Sequence, residues 1–448
     1  MKIIIIGAGE VGAHLAQLIS RENHDITVID SNPDKVASIA ESLDVLAIVG
    51  SGTTPSILKE GGIDNADMLI AVTAVDEINI LACLIAKQYG VKTKIARVRN
   101  REFSLQQEVL SPASLGIDMI IHPELEAMKE IVRLIRFPQA LEIIPFCEGE
   151  VTIVGLKVLS GAAIIGRTLA DISGIIPGAD FRVVAINRNG IGIIPGGNDT
   201  IETDDIIYIS CRSENMKDMF LLTGHREGTA RNVMIYGATS IGKMVCKELL
   251  SDKKVHIKLI ESRKDTGRLA AEELENVLVV VGEASDLDLI TQEGIIDQDV
   301  FLALTDDDED NIVTSLLARH LRVPKTITLI GKSDYIHIVK TIGLDITVNA
   351  NVLTSNAIFK YIHHKGVISL RHMIGIEAET IEFKIDAKSN IVGKEIQEIR
   401  FPQNTIVIAV EHEDGPEVPV GSSKIFVGDK VIIFCLMESV KSVLKLFN

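Results

Sequence analysis

The chain has no tryptophan, and aromatic residues make up only 4% of its 448 positions. Single-stranded nucleic acids are held largely by stacking bases on aromatic rings, so that mode of recognition has little to work with. A basic surplus is missing too, the formal net charge being −17. Nucleic acid and anionic lipid both demand a cationic face, and both are disfavoured as direct partners. That balance leaves room for docking onto a membrane protein through a local patch. Cysteine is sparse: five residues, at 83, 147, 211, 246 and 435, with no CxxC pair. Such scatter argues against disulfides and structural zinc. No apolar run approaches the roughly 18 residues of a membrane helix. The opening MKIIIIGAGE continues into glycine-rich sequence where a signal peptide would carry its cleavage region. It reads as a buried first strand, and the chain as cytoplasmic. Nucleophile motifs, a P-loop and HExxH are absent as well.

What is present is a repeat. Hydrophobic residues at 46% and charged residues at 24% suit a folded protein, and the length suits two to four domains. Gly7, Ala8 and Gly12 match Gly237, Ala238 and Gly242, and Asp30 at the end of an apolar run matches Glu261. TAVDEINI at 73–80 matches TDDDEDNI at 305–312 in five of eight positions. The offset is 230 at the first glycine and 232 at the threonine, a drift small enough to mean duplication.

Each copy has two parts. The first alternates short β-branched runs with amphipathic stretches. In copy one the runs lie near 2–6, 26–30, 45–49, 68–72 and 94–98, with VGAHLAQLIS and INILACLIAKQYG between them. That alternation predicts a parallel sheet with helices on both faces, and the nearly unbroken apolar strands agree with burial on both sides. The second part carries VTIVGLKV, FRVVAINRNG, GIGIIPGG and DDIIYISC, punctuated by Asn-Gly, Pro-Gly and Gly-Gly. IEFKI, NTIVIAV, EVPVGSS and DKVIIFC repeat the plan, with one short helix per copy near 166–173 and 393–399. The expected fold class is α/β: two Rossmann-like parallel-sheet domains, each followed by a small β-rich α+β domain. The boundaries are 1–138, 139–228, 229–363 and 364–448.

GAGEVG at 7–12 follows a strand, opens a helix and precedes an acid by about 20 residues, the full context of a dinucleotide loop. Gly7 permits the tight turn, Gly9 lets backbone approach a pyrophosphate, and Gly12 lets the helix pack against the sheet. The helix N-terminus then offers N–H groups and a positive dipole end to phosphate. Asp30 suits ribose hydroxyls and would repel a 2′-phosphate, which favours NAD(H) or an unphosphorylated adenosine over NADP. The second loop departs from this. Thr239 stands in place of the middle glycine, and Glu261 is one methylene longer than Asp30. Fold is preserved there more surely than binding.

Thr73 and Thr305 lie just past the fourth strands, at the carboxyl edge where open α/β sheets bind ligands. Arg97 and Arg99 end the fifth strand on alternating faces, either reaching a polyphosphate or pairing with a neighbouring acid. Leu329 and Gly331 replace them in copy two. The acidic run Asp306–Asp310 reads as a solvated helix start or as a cation attractor. A dehydrogenase would also need a domain supplying a proton donor and holding substrate. The small domains are poor in His and Tyr and hold no dense cluster of acid, base and cation.

GAGEVG, Asp30, the phrase NADMLIAVTAVDEINILAC at 65–83 and the small β domain together resemble the regulator-of-potassium-conductance (RCK, or KTN) family, in tandem over essentially the whole chain. The resemblance implies no enzyme, but a cytoplasmic regulatory subunit of a Trk-type potassium uptake system. It would form a ring, typically a homotetramer, beneath a potassium-translocating membrane subunit. NAD(H) and ATP or ADP would bind the Rossmann domains and set the ring's shape. Carried over by motif, Gly7, Ala8, Gly9, Glu10, Val11, Asp30, Thr73, Ala74 and Arg97 form the first site. Gly237, Ala238, Thr239, Ser240, Ile241 and Glu261 form the second. The competing readings are an NAD-dependent oxidoreductase and a nucleotide sensor for another channel.

Overall fold

The computed structural model describes residues 1–20, 24–100, 103, 111–172, 175–176, 180–226, 228–344, 346–362, 367–372 and 378–447. Two compact units emerge: Met1–Ile131 with Asn232–Phe359, and Val132–Arg231 with Lys360–Asn448. Each unit therefore joins corresponding parts of the two copies.

The first α/β domain runs β1 (Lys2–Ile6), α1 (Glu10–Ser20), β2 (Asp25–Asp30), α2 (Pro33–Ser42), β3 (Leu46–Val49), α3 (Pro55–Glu60), β4 (Met68–Ala71), α4 (Asp76–Gln88), β5 (Thr93–Arg97), β6 (Met119–Ile121) and α5 (Pro123–Arg136). Its six strands are ordered β3-β2-β1-β4-β5-β6, all parallel. Ile3, Ile4, Ile5 and Ile6 are each at most 1% exposed because helices cover both faces. Burial of such a side chain stabilises by about 1.5–3 kcal/mol. On α1 the buried positions Val11, Leu15, Ala16, Leu18 and Ile19 recur at helical spacing, so one stripe faces the sheet. α2 starts where Asn32 accepts the N–H groups of Asp34 and Lys35, with Pro33 at its first turn. Strand order reverses between β1 and β4, and the loops after those two strands flank the resulting crevice.

The first small domain runs β7 (Glu142–Phe146), β8 (Val151–Lys157), α6 (Leu169–Ile172), β9 (Phe181–Arg188), β10 (Ile191–Ile193), β11 (Ile206–Arg212) and α7 (Met216–Leu222). Its antiparallel sheet has the order β10-β9-β11-β8-β7. The second α/β domain comes next with β12 (Asn232–Tyr236), α8 (Ser240–Leu249), β13 (His256–Glu261), α9 (Lys264–Glu273), β14 (Leu278–Val281), α10 (Leu287–Gln292), β15 (Val300–Ala303), α11 (Asp308–His320), β16 (Lys325–Leu329), α12 (Tyr335–Thr341), β17 (Thr347–Val348) and α13 (Ala350–Ile362). Its order, β14-β13-β12-β15-β16-β17, repeats the first sheet. The second small domain closes the chain with β18 (Val367–His372), β19 (Ala378–Lys384), β20 (Thr405–His412), β21 (Gly415–Glu417), β22 (Lys430–Leu436) and α14 (Val440–Phe447).

Several expectations are corrected here. β6 and β17 escaped prediction because three and two residues carry no readable period; the neighbouring strand recruits them. β7 and β18 were missed as well, and so were the helices α7 and α14. The helix expected near 393–399 is a single 3₁₀ turn, Ile396–Glu398, held by reciprocal capping between Glu395 and Glu398. EVPVGSS is mostly loop, only Glu417 belonging to β21. All five cysteines are buried free thiols. Burial pushes Cys83 up to about 12, which leaves it unreactive.

Candidate nucleotide-binding sites

The first loop turns sharply at Gly7, whose φ of +110° favours glycine. A Cβ there would sit 3.0 Å from the backbone N of Thr73, so the loops after β1 and β4 touch through this residue. A Cβ at Gly12 would collide with the carbonyl oxygen of Gly7, which explains the third glycine as close packing. At Gly9 an added Cβ meets nothing within 4 Å. Space therefore opens beside the N-terminus of α1, where the first N–H groups of a helix lack intrahelical partners. Asp30 clasps the same loop. Its Oδ2 accepts the N–H of Ala8 at 2.6 Å and its Oδ1 that of Asn32 at 2.8 Å. The carboxylate is oriented by the chain's own backbone and keeps lone pairs for ribose hydroxyls.

Thr73 is held from behind. Oδ1 of the fully buried Asn79 accepts both the Thr73 N–H, at 2.9 Å, and the Thr73 hydroxyl, at 2.8 Å. Asn79 Nδ2 donates to the carbonyls of Thr73 at 3.0 Å and Arg97 at 2.8 Å. One side chain thus pins the carboxyl ends of β4 and β5 together. Asn311 does the same in the second copy, accepting from Thr305 at 2.9 and 2.8 Å and donating to Thr305 and Leu329. Ala74 lies exposed at the rim.

Arg97 ends β5 with its Nε buried and, among the described residues, without a hydrogen-bond partner. Burial first, then Arg99, lowers its guanidinium from the ordinary value. Arg99 lies beyond the strand. Its N–H and that of Asn100 donate to Asp76 at 2.9 Å, and its Nε stands 3.4 Å from Glu124. The expected alternation of the two arginines is thereby corrected. Residues two apart on a strand share a face, and here the strand has already ended.

The second loop repeats the turn, with Gly237 at φ +107°. The helix start differs because of Thr239. It caps α8, its Oγ1 accepting the Gly242 N–H at 3.2 Å while donating to the Leu304 carbonyl at 2.8 Å. The hydroxyl occupies a donor that a phosphate would use and ties the helix start to the end of β15. Ser240 and Ile241 form the first turn of that helix. Glu261 is 2% exposed and fully engaged. It accepts the N–H of Ala238 at 2.8 Å and both N–H and Nε of Arg263 at 3.0 Å. Burial acts to raise its pKa, but these donors outweigh burial and hold it below the usual carboxylate range. Tyr236, just before the loop, takes the place of Ile6 and donates to Glu283 at 3.0 Å.

The sequence matches the TrkA-N domain twice, over residues 3–123 and 233–350, and the TrkA-C domain twice, over 153–224 and 380–448. The chain belongs to the TrkA family. It is 37% identical to Trk system potassium uptake protein TrkA homolog 2 of Methanosarcina mazei, with 100% of both chains aligned. Identity is 34% to the Trk system potassium uptake protein TrkA of Haemophilus influenzae, over 100% of this chain and 99% of that one. Among solved structures, the GsuK RCK domain superposes with TM-score 0.60 at 18% identity, covering 100% of this chain and 94% of its own. The GsuK channel bound to NAD gives the same TM-score and identity over 100% and 78%. Likeness at that identity establishes the tandem RCK fold.

In this TrkA-family chain the structure gathers Gly7–Gly12, Asp30 and Thr73 at one sheet edge, and Gly237–Gly242, Glu261 and Thr305 at the other. Arg99 stands apart, engaged with Asp76 and Glu124. Sequence reasoning missed Asn79 and Asn311, although both stand in the repeated octapeptide. The acidic run resolves into structural duties: Asp307 caps α11, and Asp308 accepts the N–H groups of Gly331 and Lys332 at 2.7 and 2.9 Å. Among the described residues no helix is long and apolar enough to cross a membrane.

Proposed function

We propose that the chain is a cytoplasmic, non-enzymatic regulatory subunit of a Trk-type potassium uptake system, responding to nucleotide bound at its first Rossmann domain. The observation that carries this reading is the open space at Gly9 ahead of α1, beside a preoriented Asp30. NAD(H) fits that pair, its pyrophosphate at Gly7–Gly12 and its adenosine ribose on Asp30; ATP or ADP would use the same elements. Thr73 and Ala74 form the rim, and Arg97 supplies cationic charge. Gly237–Ile241, Glu261 and Thr305 form the corresponding second cradle. A ligand there must displace Thr239 from Gly242, so this site binds more weakly. The functional domains span 1–138, 139–228, 229–363 and 364–448. Four chains assemble as a ring under the potassium-translocating membrane subunit. Nucleotide shifts the ring only by its difference in affinity between two shapes.

Calorimetric titration of the full-length protein with NADH, ATP and ADP tests the sites. One tight NADH per chain is expected. Asp30→Ala should weaken it by at least about tenfold, since two charge-assisted hydrogen bonds are lost. Thr239→Gly should strengthen the second site. Two equal sites in the unaltered protein would defeat the division of labour. Co-purification with candidate potassium-translocating subunits, with and without nucleotide, tests the partner; no association under either condition would defeat the assignment.

A further inference from the structure

Two serines of the second α/β domain touch consecutive residues of the first nucleotide loop. Ser333, in the loop after β16, donates its hydroxyl to Glu10 Oε2 at 2.9 Å, and its N–H reaches the same oxygen at 3.3 Å. Ser355 on α13, fully buried, places its Oγ 3.2 Å from the Val11 carbonyl. Glu10 is the first residue of α1, at the position after Gly9. The loop that carries Ser333 is fixed before it meets Glu10. Asp308 holds the N–H groups of Gly331 and Lys332, and Asn351 Nδ2 donates to the Gly331 carbonyl at 3.0 Å. Lys332 is committed elsewhere, to Glu309 at 2.9 Å and over the ring of Tyr335.

A carboxylate in the first turn of a helix is attracted by the same dipole and the same N–H groups that a pyrophosphate uses. Released, Glu10 would compete with the ligand at short range and repel its charge. Held by Ser333, it points at the second domain. We infer that Ser333 is a positioning residue for the first nucleotide site, keeping the Glu10 carboxylate off the phosphate face of α1, so that the site of one copy is completed by the other. This rests on the first loop being the nucleotide site. By linkage, movement of the Ser333 loop lowers affinity for phosphate-bearing ligands, and those ligands in turn favour the arrangement in which the clasp is closed.

The test is titration of the full-length chain with NADH and with adenosine, which lacks phosphate. Ser333→Ala should weaken NADH by about fivefold or more, in the range of measured couplings between sites, and leave adenosine unchanged. Ser333→Thr, which keeps the hydroxyl, should bind NADH as the unaltered protein does. Glu10→Gln removes the charge that Ser333 restrains, so adding Ser333→Ala to Glu10→Gln should weaken NADH no further than Glu10→Gln alone. Unchanged NADH affinity in Ser333→Ala overturns the inference. So does an equal loss of NADH and adenosine, or a loss that persists in the Glu10→Gln background, since either marks a merely structural role. If the unaltered protein binds neither NADH nor ATP, the nucleotide-site reading itself fails and the inference falls with it.

Discussion

At the residue scale, each Rossmann edge depends on one asparagine. Asn79 and Asn311 are both fully buried, and each satisfies two backbone carbonyls, a backbone N–H and a hydroxyl. Removing such a side chain leaves buried polar groups unpaired, at roughly 1–3 kcal/mol each before relaxation. Asn79→Ala should therefore destabilise the chain by about 2–4 kcal/mol. Asn79→Asp, which keeps only the acceptor, should recover part of that. Urea unfolding followed by far-ultraviolet circular dichroism is the suitable measurement, because the chain has no tryptophan to report. An unchanged midpoint would mean that water replaces the side chain. The repeated octapeptide put both asparagines in view, yet their role was not legible there. Their partners include the carbonyls of Arg97 and Leu329, eighteen residues away on the next strand.

At the element scale, the two small sheets build one corresponding charge pair from different cations. In the first, Arg188 on β9 grips Asp205 through Nε at 2.9 Å and Nη2 at 2.7 Å, with Glu202 on Nη1. In the second, His412 at the end of β20 takes that role, with Nδ1 2.9 Å from Asp429 and Nε2 3.6 Å from Glu417. Burial acts to lower the imidazole pKa, but the bond and charge of Asp429, with Glu417, outweigh it and raise the value. A raised folded value means the pair stabilises fully below the unfolded histidine pKa, near 6.5, and the contribution is lost as pH rises through the folded value. Melting of the protein should accordingly fall between about pH 6 and pH 8, and His412→Arg should remove that component while leaving the rest of the profile. Calorimetry at both pH values decides it; an identical pH dependence in the variant would refute the assignment. Arginine keeps its charge throughout, so the first sheet contributes no such step.

At the scale of whole units, duplication is resolved by pairing like with like. Within the second unit, Ile153, Val184, Ala185 and Tyr208 of the first sheet share one core with Ile408, Ala409, Ile432 and Phe434 of the second. Ser210 donates to the Ile408 carbonyl at 2.9 Å and Arg212 to that of Pro416 at 2.8 Å. Alone, either small domain would expose an apolar sheet face. Residues 132–231 expressed by themselves should self-associate, and co-expression with 360–448 should give a soluble complex of one copy of each. Light scattering on both preparations checks this; a stable monomer of 132–231 would show that the face is not obligatorily covered. The strands of this core were largely legible from alternation and turn residues. Their shared partner was not, because no local pattern says which of two similar sheets an apolar face will meet.

The sequence by itself determined the duplication, the parallel sheets, the glycine loop with Asp30 and the replacement of the middle glycine by Thr239 in its second copy. These follow from local period and turn chemistry, which act over a few residues. Tertiary structure alone decided what Thr239 does with its hydroxyl, which asparagine holds each edge, and that Ser333 grips Glu10 from the other copy. Each of those depends on atoms brought together from distant parts of the chain, where packing rather than local preference chooses the partner.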